Sequence, residues 1–303
     1  MSQFAVAGLQ LEISDKDNRY FIQKEIEKAL RRFPWINMIV IGELCSFGAD
    51  TANAETLPGD SEDFYCSLAR EQNIWLVPGS LFERDNDRVY NTALAINPEG
   101  KVVGRYRKMF PFLPYEKGVT PGTESLVFEV PNVGRFGLQI CYDQWFPETI
   151  RELTWLGAEV ILCPTMTNTL DRELELTLAR ANAVSNQCYV FNINAAAPLG
   201  NGRSIVVGPD GQVLAQAGER NELMPVEIDL PALRQLRERG VMGLGQTLKS
   251  FRDSDMAFGV YAPGARSAGA FAELGELRVP ERSEAADYAN WTHKESKTGT
   301  TEN

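Results

Sequence analysis

Three residues carry the chemistry this chain offers: Glu43, Lys108 and Cys141, spaced 65 and 33 residues apart. Glu43 directly follows Ile39-Val40-Ile41-Gly42, so a carboxylate stands where a buried strand ends. That position costs free energy unless the group has a partner or a task. Lys108 sits in Gly104-Arg105-Tyr106-Arg107-Lys108-Met109-Phe110, a basic cluster running into an apolar, proline-limited loop. Cys141 closes the run Phe136-Gly137-Leu138-Gln139-Ile140, and a helix begins within Tyr142-Asp143-Gln144-Trp145-Phe146-Pro147-Glu148. At such a turn the sulfur lies near backbone N–H groups and a positive helix end, which favour a thiolate and a developing oxyanion. Singly, each residue has an ordinary explanation: a solvated carboxylate, a surface lysine laid on aromatic rings, a small buried hydrophobe. Together they form a working set, in which a carboxylate takes the thiol proton and a lysine stabilises the anions on either side of that transfer.

A substitute for imidazole is needed because the chain has one histidine, His293, in a polar tail. Ser-His-Asp hydrolysis, Cys-His proteolysis and His-ligated metal sites all require a histidine in the folded body. The five cysteines, at 45, 66, 141, 163 and 188, form no CxxC pair for zinc or redox work. Cys45 lies two residues beyond Glu43 but lacks the strand-to-helix context, and Cys66, Cys163 and Cys188 read as buried small residues in a helix and two strands. No GxxxxGK[ST], GxGxxG or GxSxG motif occurs. No metal and no cofactor is expected.

The elements around these residues form a mixed order. Strands are predicted at 4–9, 36–41, 74–77 and 158–162, with a further one at 188–193, and helices at 18–32, 61–72 (capped by Ser61), 147–156, 172–186 and finally 231–239. Hairpins flank Asn97-Pro98-Glu99-Gly100 and Pro131-Asn132-Val133-Gly134, the latter joining 126–130 to 135–141, and Pro209-Asp210-Gly211 is another turn between strands. Interleaved strand–helix units and hairpins argue against a purely parallel wound sheet. No linker divides residues 1–260, which read as one domain. From Tyr261 the composition shifts to Ala, Gly, Glu and Ser, and residues 261–303 read as an extended or partly disordered tail, an arm to a partner subunit.

The 303 residues carry a net charge of −11, with 44% hydrophobic and 23% charged residues. An acidic chain repels phosphate backbones, so nucleic acid is not expected as a partner. No window reaches 18 uncharged apolar residues, the start lacks a signal-peptide pattern, and the cysteines are unpatterned. A reduced, cytoplasmic protein is expected, with no membrane partner.

With these residues on the page, the chain resembles the nitrilase, or carbon–nitrogen hydrolase, superfamily, whose members use a Glu-Lys-Cys triad. The strand ending at Glu43, the segment Tyr106-Arg107-Lys108 and the segment Cys141-Tyr142-Asp143-Gln144-Trp145-Phe146-Pro147-Glu148 match in order, the third most specifically. Cys163-Pro164-Thr165, Arg180-Ala181-Asn182-Ala183 and Gly202-Arg203-Ser204 match further along, and the similarity runs from residue 4 to about residue 255. The resemblance implies a four-layer αββα sandwich whose protomers pack helix layers together as a homodimer or higher homo-oligomer. It implies Cys141 as nucleophile, Glu43 as general base, Lys108 with the Tyr142 N–H as oxyanion stabilisers, and Glu116 as a substrate-orienting carboxylate of amidase branches. Tyr115, Trp145, Thr165 and Met166 would line the pocket. Asp143 and Glu148 read as supporting or helix-start carboxylates. The loop 111–121 lacks the family's commoner histidine, which leaves the substrate open. An amide is placed first because Glu116 is available to hold its nitrogen. An N-carbamoyl amine, a nitrile reacting through a thioimidate, acyl transfer to another acceptor and a catalytically silent interaction module are the alternatives.

Overall fold

The apolar runs become strands and the amphipathic stretches become helices in the computed structural model of the chain, which describes residues 4–265 and 269–279. In chain order these are β1 (Phe4–Gln10), α1 (Arg19–Arg32), β2 (Met38–Ile41), α2 (Asp60–Gln72), β3 (Trp75–Val77), β4 (Ser80–Asp85), β5 (Arg88–Ile96), β6 (Val102–Arg107), β7 (Leu126–Val130) and β8 (Gly134–Leu138). There follow α3 (Pro147–Trp155), β9 (Val160–Thr165), α4 (Arg172–Asn186), β10 (Tyr189–Asn194), β11 (Ile205–Val207), β12 (Val213–Gln216), β13 (Glu222–Ile228), α5 (Leu230–Arg239) and α6 (Thr247–Arg252).

Residues 4–111 with 118–254 form one unit built on two sheets. The first runs β13-β1-β2-β3-β5-β4, with β6 also paired to β5; the second runs β12-β11-β10-β9-β8-β7. In each the central pairs are parallel (β1–β2–β3 and β8–β9–β10) and the flanking pairs antiparallel. Central strands are buried on both faces, as continuous β-branched runs require. Three apolar clusters separate the layers. Val6, Met38 and Val40 of the first sheet pack against Phe136, Leu162 and Phe191 of the second. The opposite face of the first sheet, with Ile39, Ile41 and Leu76, buries Ile22 and Ile26 of α1 and Leu68 of α2. The outer face of the second, with Ile161 and Val190, buries Ile150 of α3 and Leu176 of α4. The result is the αββα order that the family resemblance implies, with helices α1–α2, sheet, sheet, helices α3–α4, and the mixed sheets agree with the interleaved strand–helix units and hairpins of the sequence.

The departures have local causes. The cap of α2 is Gly59, not Ser61; Ser61 lies in the first turn, where its N–H and O–H donate to the Glu55 carboxylate at 3.0 and 2.7 Å. Strand β4 was not read from its sequence because its second half is charged. Glu83 there is satisfied across the sheet by Arg107 Nε (2.9 Å) and Thr92 Oγ1 (2.6 Å). Strand β13 contains Pro225, which argues against a central strand; it lies at the edge, antiparallel to β1, where a missing N–H is tolerated. Strand β8 stops at Leu138 rather than Cys141, and α6 follows the helix expected to be last.

Residues 112–117, with the described residues from 255 onward, form a second unit. It contains single helical turns at Gly259–Tyr261 and Gly269–Glu273 and a stacked Phe112–Tyr115 pair with ring centroids 4.8 Å apart. The rest of the expected tail, residues 266–268 and 280–303 with His293, lies outside the described residues. No helix among the described residues is long and apolar enough to cross a membrane.

Candidate active site

The ends of three strands deliver the three reactive residues. Beyond β2, the Glu43 N–H donates to the Thr165 carbonyl at the end of β9 (3.1 Å), so the two sheets meet there through backbone. The approach leaves no room for a side chain on Gly42, whose Cβ would stand 2.9 Å from Ala195 N and 3.0 Å from the Thr165 carbonyl oxygen. Gly79, at φ +79°, would put a Cβ 1.8 Å from the Gly42 carbonyl oxygen. Lys108 follows β6, still paired to β5 through its N–H to the Asn91 carbonyl (2.8 Å). Cys141 opens a 3-10 turn, Cys141–Trp145, at φ +46°, and Leu44 beside Glu43 has φ +50°. Left-handed backbone costs an L-residue about 1–2 kcal/mol. Two such residues flanking the reactive groups show a geometry enforced by the surrounding fold.

Lys108 Nζ and Glu43 Oε1 form an ion pair at 2.8 Å, with side chains only 1% and 4% exposed. Asn91 Nδ2 donates to the same oxygen at 2.8 Å. Both charges reach the Cys141 thiol, Glu43 pushing its pKa up and Lys108 pulling it down. Burial is the largest effect, however, and with Glu43 and Glu175 it outweighs Lys108 and the Met166 N–H, which points at the sulfur. The thiol pKa therefore lies well above its ordinary value, and the resting group is a thiol. This corrects the expectation of a thiolate. The helix-end argument assumes a sulfur open to the turn, whereas desolvation decides here.

Asp143 holds this geometry. It accepts hydrogen bonds from the Ile140 N–H (2.8 Å), the Phe110 N–H (2.8 Å) and the Tyr106 hydroxyl (2.7 Å). One carboxylate thereby fastens the turn carrying Cys141 to both sides of Lys108. Burial pushes its pKa up to about 6 even with these donors, so it remains mostly ionised at neutral pH.

The other sequence-predicted residues are distributed as follows. Tyr142, Trp145 and Phe146 form a half-buried aromatic group after Cys141, and Phe146 stacks on Phe110 at 3.6 Å between centroids. The Thr165 hydroxyl turns back to the Cys163 carbonyl (3.2 Å), while its main-chain oxygen carries Glu43. Met166 packs its side chain against the Leu44, Phe82 and Val119 cluster. Tyr115 and Glu116 belong to the second unit, where Glu116 accepts from the Phe112 N–H. Glu148 lies exposed in the first turn of α3. Cys45, Cys163 and Cys188 are buried free thiols, and burial raises the pKa of each. Sequence reasoning missed Asn91, a polar residue inside the apolar run of β5, and the buried Thr167, Arg172 and Glu175. Among the described residues no group of three or more His, Cys, Asp or Glu side chains is arranged to hold a metal ion.

Comparison with known proteins places this geometry in context. The family model described as carbon-nitrogen hydrolase matches residues 5–238. An omega-amidase of Saccharomyces cerevisiae, Nit3, is 31% identical over 77% of this chain and 89% of its own. The crystal structure of Nit3, a member of branch 10 of the nitrilase superfamily, matches with TM-score 0.72 and 30% identity over 78% of this chain and 94% of that one. The 2-oxoglutaramate amidase of Bacillus subtilis is 31% identical over 78% of this chain and 95% of its own. An amidase of Nesterenkonia, solved with the acetamide moiety of fluoroacetamide covalently added at its active-site cysteine, matches with TM-score 0.69 and 25% identity over 77% of this chain and 93% of that one.

Proposed function

Because the chain belongs to the carbon–nitrogen hydrolase family, we propose that it hydrolyses the amide bond of a small non-peptide substrate through a thioester on Cys141, releasing ammonia and a carboxylic acid. The observation that carries this reading is the Glu43–Lys108 pair, buried and 2.8 Å apart, with its charges acting on a thiol held in strained backbone. A buried ion pair is a poor stabiliser, since desolvation offsets its Coulombic gain, so a chemical task is the better account of it. Cys141 attacks the carbonyl carbon as Glu43 accepts its proton. Lys108 and the Tyr142 N–H stabilise the oxyanion, and as the C–N bond breaks the protonated Glu43 gives its proton to the amide nitrogen, which leaves as ammonia. Glu43 next activates the water that releases the acid. Glu116 is kept as the orienting carboxylate on the strength of the family resemblance, and Tyr115, Trp145, Thr165 and Met166 as pocket residues.

The names of the relatives favour ω-amides, in which the amide stands at the far end of a short acid. The enzyme is further proposed to be a cytoplasmic homo-oligomer. Five free thiols agree with a reducing compartment, and the exposed Trp155 of α3 and Leu174 of α4 offer apolar surface to a second protomer.

The test is ammonia release from short aliphatic amides, ω-amides, N-carbamoyl amines and nitriles, with Lys108→Ala run beside the wild type. Turnover of amides, reduced at least about 10²-fold in Lys108→Ala, is the expected result. Carbon dioxide appearing with ammonia would move the assignment to the carbamoyl class. Near-normal turnover in Lys108→Ala would remove Lys108 from the mechanism.

A further inference from the structure

A second buried set of charges lies behind Cys141, and the hydrolysis scheme above does not use it. Thr167 Oγ1 stands 3.8 Å from the Cys141 sulfur and 3.0 Å from Glu175 Oε1. The other Glu175 oxygen pairs with Arg172 Nη1 at 2.8 Å, and these two side chains are 1% (Arg172) and 2% (Glu175) exposed. Arg172 is fixed in turn by Asn192 Oδ1 (2.7 Å) and the Arg203 carbonyl (2.8 Å). Ions this deep cost several kcal/mol each before pairing, and apolar residues of equal volume would pack as well without that cost.

The hydrogen-bond inventory gives the set a direction. A carboxylate paired with a guanidinium only accepts, so Thr167 must donate its one O–H to Glu175. Only lone pairs then face the sulfur, and the bond between Thr167 and Cys141 runs from S–H to Oγ1.

We propose that Thr167, backed by the Glu175–Arg172 pair, is a positioning residue that tethers Cys141 as a protonated thiol until a substrate carbonyl lies against the sulfur. At that moment the S–H bond breaks and its proton passes to a Glu43 oxygen. The sulfur pair forms the S–C bond, and the carbonyl π pair moves onto oxygen. The tether keeps the nucleophile unreactive toward electrophiles that do not fill the site. The charged groups acting on Cys141 are Glu43 after β2, Lys108 after β6 and Glu175 in α4, and Glu175 itself faces Arg172 and Asp171. Of these, Glu175 raises the pKa of the thiol without serving as its base.

The inference rests on Cys141 as nucleophile, but its test reads alkylation of the sulfur and does not depend on amide turnover. The rate of iodoacetamide alkylation of Cys141 in the full chain, read by peptide mass spectrometry across pH, is compared in wild type, Thr167→Val, Thr167→Ser and Glu175→Gln. In Thr167→Val the profile should move to lower pH, with alkylation at neutral pH rising on the order of tenfold, the equivalent of one pKa unit. Thr167→Ser should restore the wild-type profile. Glu175→Gln should move it the same way, but it strands Arg172 in the interior, so Thr167→Val, which leaves that pair intact, carries the test. With an amide substrate, Thr167→Val should lower kcat while leaving KM in place. An unshifted or upward-shifted profile in folded Thr167→Val overturns the tether. A downward shift in a protein that hydrolyses no amide supports the tether and overturns the amidase reading instead.

Discussion

Cys141→Ala is expected to end amide hydrolysis, lowering ammonia release by at least about 10⁴-fold while leaving the fold intact. Removing a nucleophile that forms a covalent intermediate leaves only binding and oxyanion stabilisation, which is why such losses are this large. The variant is a fair test because alanine meets the same left-handed strain at φ +46° as cysteine, and no ion pair is broken. Circular dichroism and solution mass should match the wild type. Residual turnover within tenfold of the wild type would mean that Glu43 activates water directly, with no thioester.

Glu43→Gln is expected to lower turnover by about 10³-fold or more, the upper part of the range for loss of a general base. The amide oxygen introduced by this substitution can still accept from Lys108 Nζ and Asn91 Nδ2, which now bind Oε1 at 2.8 Å, so the hydrogen bonds survive while the charge and the base are lost. The buried ammonium then loses the carboxylate that stood 2.8 Å away, and removing one partner of a buried ion pair costs about 3–5 kcal/mol. The sign of the effect on the thiol is opposite to the effect on turnover. Glu43 pushes the Cys141 thiol pKa up, and Lys108 pulls it down. Without Glu43, Cys141 should be alkylated faster at neutral pH although it no longer supports catalysis. A merely structural Glu43 would instead lower both rates together with the melting temperature. Activity within tenfold of the wild type in a folded Glu43→Gln would assign the base elsewhere.

The proposed catalytic set was legible because its members interrupt their surroundings. Glu43 follows a run of β-branched residues that can only be a buried strand, and Cys141 stands between an apolar run and a proline-started helix. The helix at 172–186 emerged with the same limits, since its amphipathic pattern is uninterrupted. Other features needed three dimensions. The meeting of β2 with β9 at Gly42, which aims Glu43, depends on two sheets closing over one core, and periodicity records burial without recording the partner. Arg172 and Glu175 read as part of the polar face of that helix, a face normally turned to water; here it turns toward Asn192 and Thr167. Asn91 stands beside Thr92 in the buried part of β5, and it became meaningful only once Glu43 lay opposite it. The protonation state of Cys141 was misjudged for a related reason. The positive end of a helix is written in the chain, but depth of burial, which prevails here, is not.

The proposed thioester is a covalent bond to one sulfur, and such a bond can be observed. Enzyme mixed with a short aliphatic amide would be quenched in acid at intervals, digested, and its peptides weighed, for the wild type and for Glu43→Gln. The peptide containing Cys141 should gain the mass of the acyl group during turnover and lose it when the amide is exhausted, with a burst of ammonia matching the first appearance of the adduct. Ammonia accumulating with no adduct on Cys141 at any time, or with the acyl group on another residue, would contradict the thioester mechanism.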